Sequence, residues 1–380
     1  MKRINILPAL LLLLLAFAVC NSCNLRGNST ADGIQLGLLS VFSGDGANYG
    51  EAARTGVDLA LEEINAGGGI NGKKITMIYE DDRGETKDAV SGFQKLASVD
   101  KVPVVIGPFY SGQVLACAPE ADRSGTVLMT GSGTSDNIMK AGEYVFRTCP
   151  TNEDQGRTIA RFCMDSLKKK TAFIIYRNAD YGLTLKDRFK EQYIHDGGSV
   201  LGEIAIDADA KDARPQLIKA KESAAEVVFI PVHYPEGGVI LKQAKELGLN
   251  ALFIGGDGGF DPALINIAGN AADGSYWATI GWGGQGTVAI TAQFKAAYKK
   301  KYNKDAGVYS GLYYDAMMVV AAALKNVSGD ITGASVKEAL LKIRDYRGPT
   351  GAITFNKDGD VEKPFSIFLV NGGAFQPVNY

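Results

Sequence analysis

The sequence has 380 residues, of which 46% are hydrophobic and 22% are charged, and its 46 glycines exceed the usual share. A chain of this length is longer than one ordinary domain of about 100–200 residues, so we expect two lobes, and its composition excludes a disordered or collagen-like protein. The formal net charge of −2 argues against a nucleic-acid partner, because nucleic-acid binders normally carry a basic excess.

The N-terminus carries the pattern of an export signal. Lys2 and Arg3 precede a sixteen-residue apolar run over 4–19, which contains six consecutive leucines. This run is shorter than the ~20 residues that a transmembrane helix needs, so the pattern favours a cleaved signal peptide over a membrane anchor.

Two cysteines mark where such a signal would be cut. The segment resembles a bacterial lipoprotein signal, in which a cysteine preceded by a small residue is lipidated and becomes the new N-terminus. Cys23 follows the small Ser22, whereas Cys20 follows a bulky valine, so we expect lipidation at Cys23. Residues 1–22 would then be the signal peptide and 23–33 a polar tether to the membrane. A plain secretory signal cut nearby is the alternative.

Three more cysteines follow the leader: Cys117, Cys149 and Cys163. An exported protein can form disulfides, and three cysteines allow one pair and one leftover thiol. Buried free thiols are equally compatible with the sequence.

Strand and helix patterns alternate along the rest of the chain. A first series runs over 34–147 and a second over 154–254; further helices follow within 292–343, and the last clear strands are 352–355 and 365–370. Such alternation predicts parallel sheets built from βαβ units, with strands buried on both faces. The two series predict an α/β protein with two doubly wound parallel-sheet lobes.

Ligand-binding loops of open α/β sheets lie beyond the carboxyl ends of the strands. Four such loops are small, contain glycine and carry a hydroxyl or a carboxylate: 43–46, 107–112, 131–134 and 255–259. Glycine lets backbone N–H groups approach a ligand closely, and a helix N-terminus after such a loop favours an anion. We therefore expect a ligand at these loops.

Two kinds of polar side chain stand out in these loops. Ser111, Ser132 and Thr134 can donate to a ligand carboxylate, and each bond to a charged group contributes about 1.5–3 kcal/mol. Helix capping is the alternative role for these hydroxyls. Asp257 lies among four glycines with no lysine or arginine nearby in sequence, which suits a ligand ammonium. The alternative role for Asp257 is a local hydrogen bond within the loop.

No pattern indicates an enzyme. The glycine segment 67–74 nearly matches a phosphate-binding loop, but Lys74 replaces the required Ser or Thr and the segment follows a helix instead of a strand. A strand-to-helix Gly-x-Ser-x-Gly turn is missing, so a hydrolase lacks its nucleophile. His195 and His233 lie far apart without a paired cysteine motif, and the acidic cluster 80–82 fits loop capping better than metal binding. We expect no metal, no cofactor and no catalysis.

Four segments resemble the leucine/isoleucine/valine-binding protein family: 44–51, 62–72, 105–108 and 180–182. This resemblance extends from about Ile34 to the C-terminus. Members of that family are extracytoplasmic solute receptors of branched-chain amino-acid ABC importers, with the two-lobed type I periplasmic binding fold.

The resemblance implies roles for individual residues. Ser111 and Thr134, with the backbone of Ser132, would hold the ligand carboxylate. Asp257 would accept the ligand ammonium where the family commonly has Glu, which is longer by one methylene. Tyr181 would close over the ligand from the second lobe.

Three further tyrosines match positions of the family's side-chain pocket: Tyr49, Tyr234 and Tyr309. Strand-following positions also suggested Tyr49, Tyr181, Tyr234 and Tyr110 as cleft walls. The family's small-loop disulfide is absent, because Gly84 and Tyr110 stand near the places of its cysteines.

The resemblance implies lobes made of 34–149 plus 281–350 and of 150–280 plus 351–380, joined by a three-segment hinge. The protein would be exported to the periplasm or cell surface, would capture an amino acid by hinge closure and would present it to a membrane permease. Two alternatives use the same fold. One is a receptor for an aromatic acid, an amide or a urea-like ligand, and the other is a ligand-sensing regulatory protein.

Overall fold

A computed structural model describes residues 33–208, 210–282 and 287–380. The signal peptide, the tether and the lipidation expected at Cys23 lie outside the described residues. Among the residues that are described, no helix is both long and apolar enough to cross a membrane.

The first lobe is built on a five-stranded parallel sheet with the order β2-β1-β3-β4-β5. Its strands are β1 Ile34–Ser40, β2 Ile75–Asp81, β3 Val104–Ile106, β4 Val127–Thr130 and β5 Val145–Arg147. Neighbouring residues of β3 point to opposite faces and all of them are buried, so an apolar core lies on each side of the sheet.

The second lobe is built on a seven-stranded sheet with the order β14-β13-β10-β9-β8-β6-β7. Its strands are β6 Thr171–Arg177, β7 Ser199–Ile206, β8 Val227–Ile230, β9 Leu252–Gly255, β10 Tyr276–Ile280, β13 Phe365–Asn371 and β14 Ala374–Pro377. The pairs β10–β13 and β13–β14 are antiparallel, and the other pairs are parallel. The final hairpin is therefore an antiparallel edge on an otherwise parallel sheet.

Helices cover both faces of each sheet, which confirms the predicted α/β class with two doubly wound lobes. The longer helices are α1 Ala47–Ala66, α2 Thr86–Gln94, α3 Ser111–Ser124, α4 Asn152–Arg161, α5 Asp180–His195, α6 Arg214–Ser223, α7 Tyr234–Glu246, α8 Pro262–Ala268, α9 Val288–Tyr302, α10 Val308–Lys325 and α11 Gly333–Leu340. Helices α3, α6 and α8 were missed by the sequence patterns. Pro119 inside α3 and the weak amphipathicity of α6 explain why periodicity did not reveal these two helices, and α8 has only seven residues.

The chain passes between the lobes after β5, after β10 and after the short β11–β12 hairpin, Tyr346–Gly348 and Gly351–Ile353. Residues after this hairpin still contact the first lobe, because the Phe355 ring packs against Phe146 and Asp360 forms an ion pair with Arg147. The sequence-based division put these residues in the second lobe, and that division stays a prediction.

Cys117, Cys149 and Cys163 are buried free thiols, which settles the choice that the sequence left open for these three residues. Burial raises the pKa of each thiol to about 12, so all three are protonated at neutral pH.

Candidate functional site

The loop after β3 brings Ser111 to the edge of the first lobe. Gly107 has a φ of +95°, and a Cβ at this position would overlap the carbonyl oxygen of Leu39, so the turn requires glycine. The chain then enters α3, whose first residue is Ser111. The N-terminus of a fourteen-residue helix thus lies beside a hydroxyl.

The three candidate hydroxyls are all buried but have different partners. The Ser111 hydroxyl oxygen accepts a bond from the N–H of Ser135 at 3.2 Å, which joins the loop after β3 to the loop after β4. The Thr134 hydroxyl has no hydrogen-bond partner among the described residues. The Ser132 hydroxyl donates to the Phe109 carbonyl at 2.7 Å and lies 2.9 Å from the Tyr313 hydroxyl. The backbone N–H of Ser132 donates to the Thr130 hydroxyl at 3.3 Å, so both of its hydrogen-bond donors are already engaged within the protein.

Arg147 holds the loop that carries Thr134 and was not identified from the sequence. Its Nη1 donates to the carbonyls of Gly133 at 3.2 Å and Ser135 at 2.9 Å, and its Nε donates to Asp360 at 2.5 Å. The guanidinium is fully buried. A lone arginine in a strand gives no sequence signal of this role, because its partners come from two segments that are far apart in the sequence.

Asp257 lies in the second lobe, directly after the loop that follows β9, and it is 6% exposed. Gln155 Nε2 donates to Asp257 Oδ1 at 2.9 Å, and the Tyr309 hydroxyl lies 3.4 Å from Oδ2. Burial raises the pKa of Asp257, although hydrogen bonds from the side chains of Gln155 and Tyr181 act in the opposite direction. Hydrogen bonds thus orient the carboxylate, and no cationic side chain of the described residues forms an ion pair with it.

Tyr181 lies at the start of α5 and faces the same loop. Its hydroxyl accepts a bond from the Gly258 N–H at 3.0 Å, and burial raises its pKa well above the usual range. The Tyr181 ring stacks on His233 with 5.0 Å between ring centroids.

His233 lies between two tyrosines from opposite lobes. Tyr110 of the first lobe stacks on one face at 4.7 Å and Tyr181 of the second lobe on the other at 5.0 Å. Its Nδ1 is buried without a partner among the described residues, and burial together with Arg177 lowers its pKa well below 6.5. In the sequence, His233 stood out only as a possible metal ligand, and no pattern indicated its place between these tyrosines.

Tyr49 is the centre of an aromatic cluster that joins the lobes. Its ring stacks on Phe109 at 4.4 Å and meets Tyr234 and Tyr309 edge to face at 4.8 and 5.5 Å. Its hydroxyl donates to the Gly258 carbonyl and accepts from the Tyr234 N–H at 3.1 Å. The structure brings together the tyrosines that the resemblance suggested, and the lobes are in contact.

A buried tryptophan in the second lobe accounts for two of the loop glycines. Trp277 is fully buried in the second lobe, where its Nε1 donates to Ser275 at 2.9 Å. A Cβ on Gly255 or Gly259 would overlap the Trp277 ring. These two glycines therefore make room for a core tryptophan, a role that the sequence did not indicate.

The acidic cluster at the end of β2 holds neighbouring loops by accepting hydrogen bonds from their backbone. Asp81 accepts bonds from the N–H groups of Phe42 and Arg83, each at 2.9 Å, and Asp82 accepts from the N–H of Gly84 at 2.9 Å. Across the described residues, no group of three or more His, Cys, Asp or Glu side chains could hold a metal ion.

A comparison with known families identifies the family of this chain. A family model described as periplasmic binding protein matches residues 33–374. The chain belongs to the periplasmic binding protein family.

Relatives of this periplasmic binding protein have the names that the sequence resemblance predicted. It is 28% identical over 353 residues to Leu/Ile/Val-binding protein homolog 3 of Brucella melitensis, covering 90% of this chain and 92% of the relative. It is also 28% identical to the leucine-, isoleucine-, valine-, threonine- and alanine-binding protein of Pseudomonas aeruginosa, covering 89% and 90% of the two chains.

Solved structures show the same type I fold. The leucine-binding protein of Thermotoga maritima has a TM-score of 0.87 at 25% identity, with 91% of this chain and 98% of that chain covered. The branched-chain amino acid transporter substrate-binding protein of Streptococcus pneumoniae, solved with isoleucine, has a TM-score of 0.84 at 30% identity, with 91% and 99% covered. A solute-binding protein of Rhodopseudomonas palustris solved with 3,4-dihydroxybenzoic acid has a TM-score of 0.82 at 26% identity, with 92% and 96% covered.

Proposed function

We propose that this protein captures an α-amino acid with an apolar side chain, branched-chain or other, between its lobes and delivers it to the permease of an ABC importer. The observation that carries the proposal is the pairing of two unlike polar sets across one cleft. The first lobe contributes Ser111, Thr134 and a helix N-terminus, and the second lobe contributes the buried carboxylate of Asp257. An α-amino acid has the complementary anion and cation.

The carboxylate end of the ligand would bind to the first lobe. The unpaired hydroxyl of Thr134 is a buried polar group that a ligand oxygen would satisfy. Ser111 and the N-terminus of α3 add a second hydroxyl and the positive end of the helix dipole. Together these groups select an anion of carboxylate size.

The ammonium end would bind to Asp257. Its pKa is raised because burial removes water without supplying a counter-charge. A ligand ammonium would supply that charge, while Gln155 fixes the orientation of the carboxylate through its bond of 2.9 Å. Because Asp is shorter than Glu, a water molecule between the carboxylate and the ammonium fits this role.

The side chain of the ligand would lie against aromatic rings. The cluster around Tyr49 is apolar over its ring faces and has hydroxyls at its rim, which suits an aliphatic side chain. The relatives named for leucine, isoleucine and valine support this ligand class.

Closure of the two lobes would complete the site. Tyr181 and Asp257 belong to the second lobe, so the ligand contacts them only when the hinge is closed. A micromolar affinity corresponds to about −8 kcal/mol, which a few charge-assisted bonds and apolar burial can provide.

A calorimetric titration with the twenty amino acids and a set of benzoates tests the proposal. We expect binding of leucine, isoleucine or valine, with an affinity about tenfold or more lower when Asp257 is replaced by Asn. Binding of benzoates without any amino acid would instead support the aromatic-acid alternative, for which the relative solved with 3,4-dihydroxybenzoic acid provides the precedent. An absence of both would leave the sensing alternative with an unidentified ligand.

The cellular part of the proposal concerns export and anchoring. We propose that the mature protein begins at a lipidated Cys23 and stays at the membrane on the tether 23–33. A Cys23→Ser variant should move from the membrane fraction to the soluble exported fraction. A Cys20→Ser variant is the matched control and should stay membrane-bound. Loss of amino-acid uptake on deletion of the gene would test the permease link.

A further inference from the structure

Asn152 connects the ligand-binding parts of the two lobes. It is fully buried, follows the first passage between the lobes and is the first residue of α4. Its backbone N–H donates to the Thr134 carbonyl at 2.8 Å. Its side-chain Nδ2 donates to the Tyr181 carbonyl at 3.0 Å and to the Thr184 hydroxyl at 2.7 Å.

The same helical turn also reaches Asp257. Gln155 lies three residues after Asn152, on the same face of α4, and donates to Asp257 at 2.9 Å. The Tyr181 hydroxyl in turn accepts from the Gly258 N–H at 3.0 Å. A continuous series of hydrogen bonds therefore runs from the Thr134 loop, through the first turn of α4, to the loop that carries Asp257.

The chemistry of Asn152 fits a positioning role better than a packing role. Its amide donates two bonds, whereas its Oδ1 is buried without a partner among the described residues. A smaller or apolar side chain would avoid that unpaired oxygen but would lose both donors. Only a donor at this position holds the start of α5, and so Tyr181, in a fixed relation to the Thr134 carbonyl.

We propose that Asn152 is a positioning residue that couples the carboxylate-binding loop of the first lobe to Tyr181 of the second lobe. The inference rests on the proposed function for its ligand and on the hydrogen bonds above for its geometry. A change in the position of the Thr134 loop shifts the first turn of α4, and Asn152 transmits that shift to the residue that closes over the ligand.

An Asn152→Asp variant removes the two donors with little change in shape. Its carboxylate oxygen would face the Tyr181 carbonyl, so the two oxygens repel each other. We expect amino-acid affinity to fall about tenfold or more, mainly through faster dissociation of the ligand. Titration calorimetry and stopped-flow fluorescence would measure the two effects.

Thr151→Ala is the matched control. Thr151 caps the same helix by accepting from the Asp154 N–H at 3.1 Å, so its loss weakens α4 and leaves the Asn152 side-chain bonds in place. This variant should melt at a lower temperature but bind within about twofold of the wild-type affinity. An equal loss of affinity in both variants would overturn the proposal, because it would reduce the effect to helix stability.

Two substitutions at Thr184 test the link if Asn152→Asp does not fold. Thr184→Val removes the hydroxyl that accepts from Asn152, whereas Thr184→Ser keeps it. We expect weaker binding in the Val variant and near wild-type binding in the Ser variant. Equal affinities for the two would contradict the coupling.

A measurement without ligand separates this inference from the proposed function. If the wild type binds none of the amino acids or benzoates tested, the proposed function fails, and the radius of gyration of the unliganded protein then tests the coupling by small-angle X-ray scattering. Asn152→Asp should be more open, with a larger radius than both the wild type and Thr151→Ala. Equal radii for the three proteins would overturn the coupling independently of any ligand.

Discussion

The hydroxyl of Tyr309 donates a hydrogen bond to the backbone carbonyl of Asp257, across the cleft, at 2.8 Å. Tyr309 lies on α10, which packs against α1 in the first lobe, whereas Asp257 belongs to the second lobe. The same hydroxyl is 3.4 Å from the Asp257 side chain. One first-lobe residue therefore contacts both the backbone and the carboxylate of the proposed ammonium acceptor. The same contact thus joins the two lobes and orients the charged group.

Replacement of Asp257 by Asn tests the ammonium site. The amide keeps an oxygen that can accept from Gln155, so the change removes the charge and retains the shape. We expect amino-acid affinity to fall about tenfold or more, which corresponds to at least about 1.4 kcal/mol. Titration calorimetry measures this loss. Unchanged affinity would exclude Asp257 as the ammonium acceptor.

Thr134→Val should separate ligand binding from stability. The Thr134 hydroxyl is buried and has no partner within the described part of the chain, so its removal should leave the unfolding free energy unchanged or raise it by up to about 1 kcal/mol. Affinity should nevertheless fall about tenfold, because the hydroxyl is proposed to donate to the ligand carboxylate.

Ser132→Ala is the matched control for that variant, with the opposite pattern. It loses a bond to the Phe109 carbonyl and a contact with the Tyr313 hydroxyl, so its urea unfolding midpoint should fall. The substitution leaves in place the bond from its backbone N–H to the Thr130 hydroxyl, and affinity should change by less than about twofold. A larger loss of affinity in Ser132→Ala than in Thr134→Val would contradict the assigned roles.

The stability of the protein should depend on His233 below neutral pH. The pKa of His233 is lowered well below 6.5 in the folded protein by burial and by Arg177, so the unfolded chain binds an additional proton below about pH 6.5. That proton stabilises the unfolded chain, and the wild type therefore loses stability as the pH falls. Stability falls toward acid pH because the folded protein holds His233 as the neutral imidazole.

A His233→Phe variant keeps a ring between Tyr110 and Tyr181 and removes this titration. Relative to the wild type, its unfolding free energy should rise by about 1.4 kcal/mol for each pH unit below 6.5. Urea unfolding between pH 7 and pH 5 measures the difference. Parallel stability curves for the two proteins would show that His233 titrates normally in the folded state.

Lys363 should be essential to the stability of the hinge region. Its Nζ lies 2.7 Å from the Thr350 hydroxyl and 3.9 Å from Asp315, and both charged groups are buried. Burial raises the pKa of Asp315 to about 6 and lowers that of Lys363. Lys363→Met would leave Asp315 without its cation, so we expect a loss of about 3–5 kcal/mol in unfolding free energy.

The double variant Lys363→Met, Asp315→Leu is the control. It removes both charges, and it should recover most of the stability that the single variant loses. Equal stability of the single and double variants in urea unfolding would show that Asp315 is not left as an uncompensated charge.

Several parts of the candidate site could be predicted because they depend on residues that are close together in the sequence. Loops that follow parallel strands meet at the carboxyl edge of their sheet. This rule predicts Ser111, Thr134 and Asp257 as ligand-binding residues from the sequence alone. The structure places Ser111 and Thr134 after strands of the first sheet and Asp257 after a strand of the second. Helix α3 escaped detection because Pro119 interrupts its pattern, although Ser111 at its start was identified.

Other parts depend on contacts between distant segments. Gln155 and Asp257 are 102 residues apart in sequence, and nothing near either residue indicates the partner. The roles of Asn152, Arg147 and His233 could not be predicted for the same reason, since the partners of each lie on separate segments of the chain.

The sequence by itself determined the α/β class, the two series of alternating strands and helices, and the loops in which the polar residues lie. These features follow from local periodicity and from the geometry of parallel sheets. Only the tertiary structure decided which hydroxyl is unpaired, which glycines make room for Trp277 and which imidazole lies between two tyrosines. Hydrogen-bond satisfaction and close packing depend on all neighbours in space, and a linear sequence does not specify those neighbours.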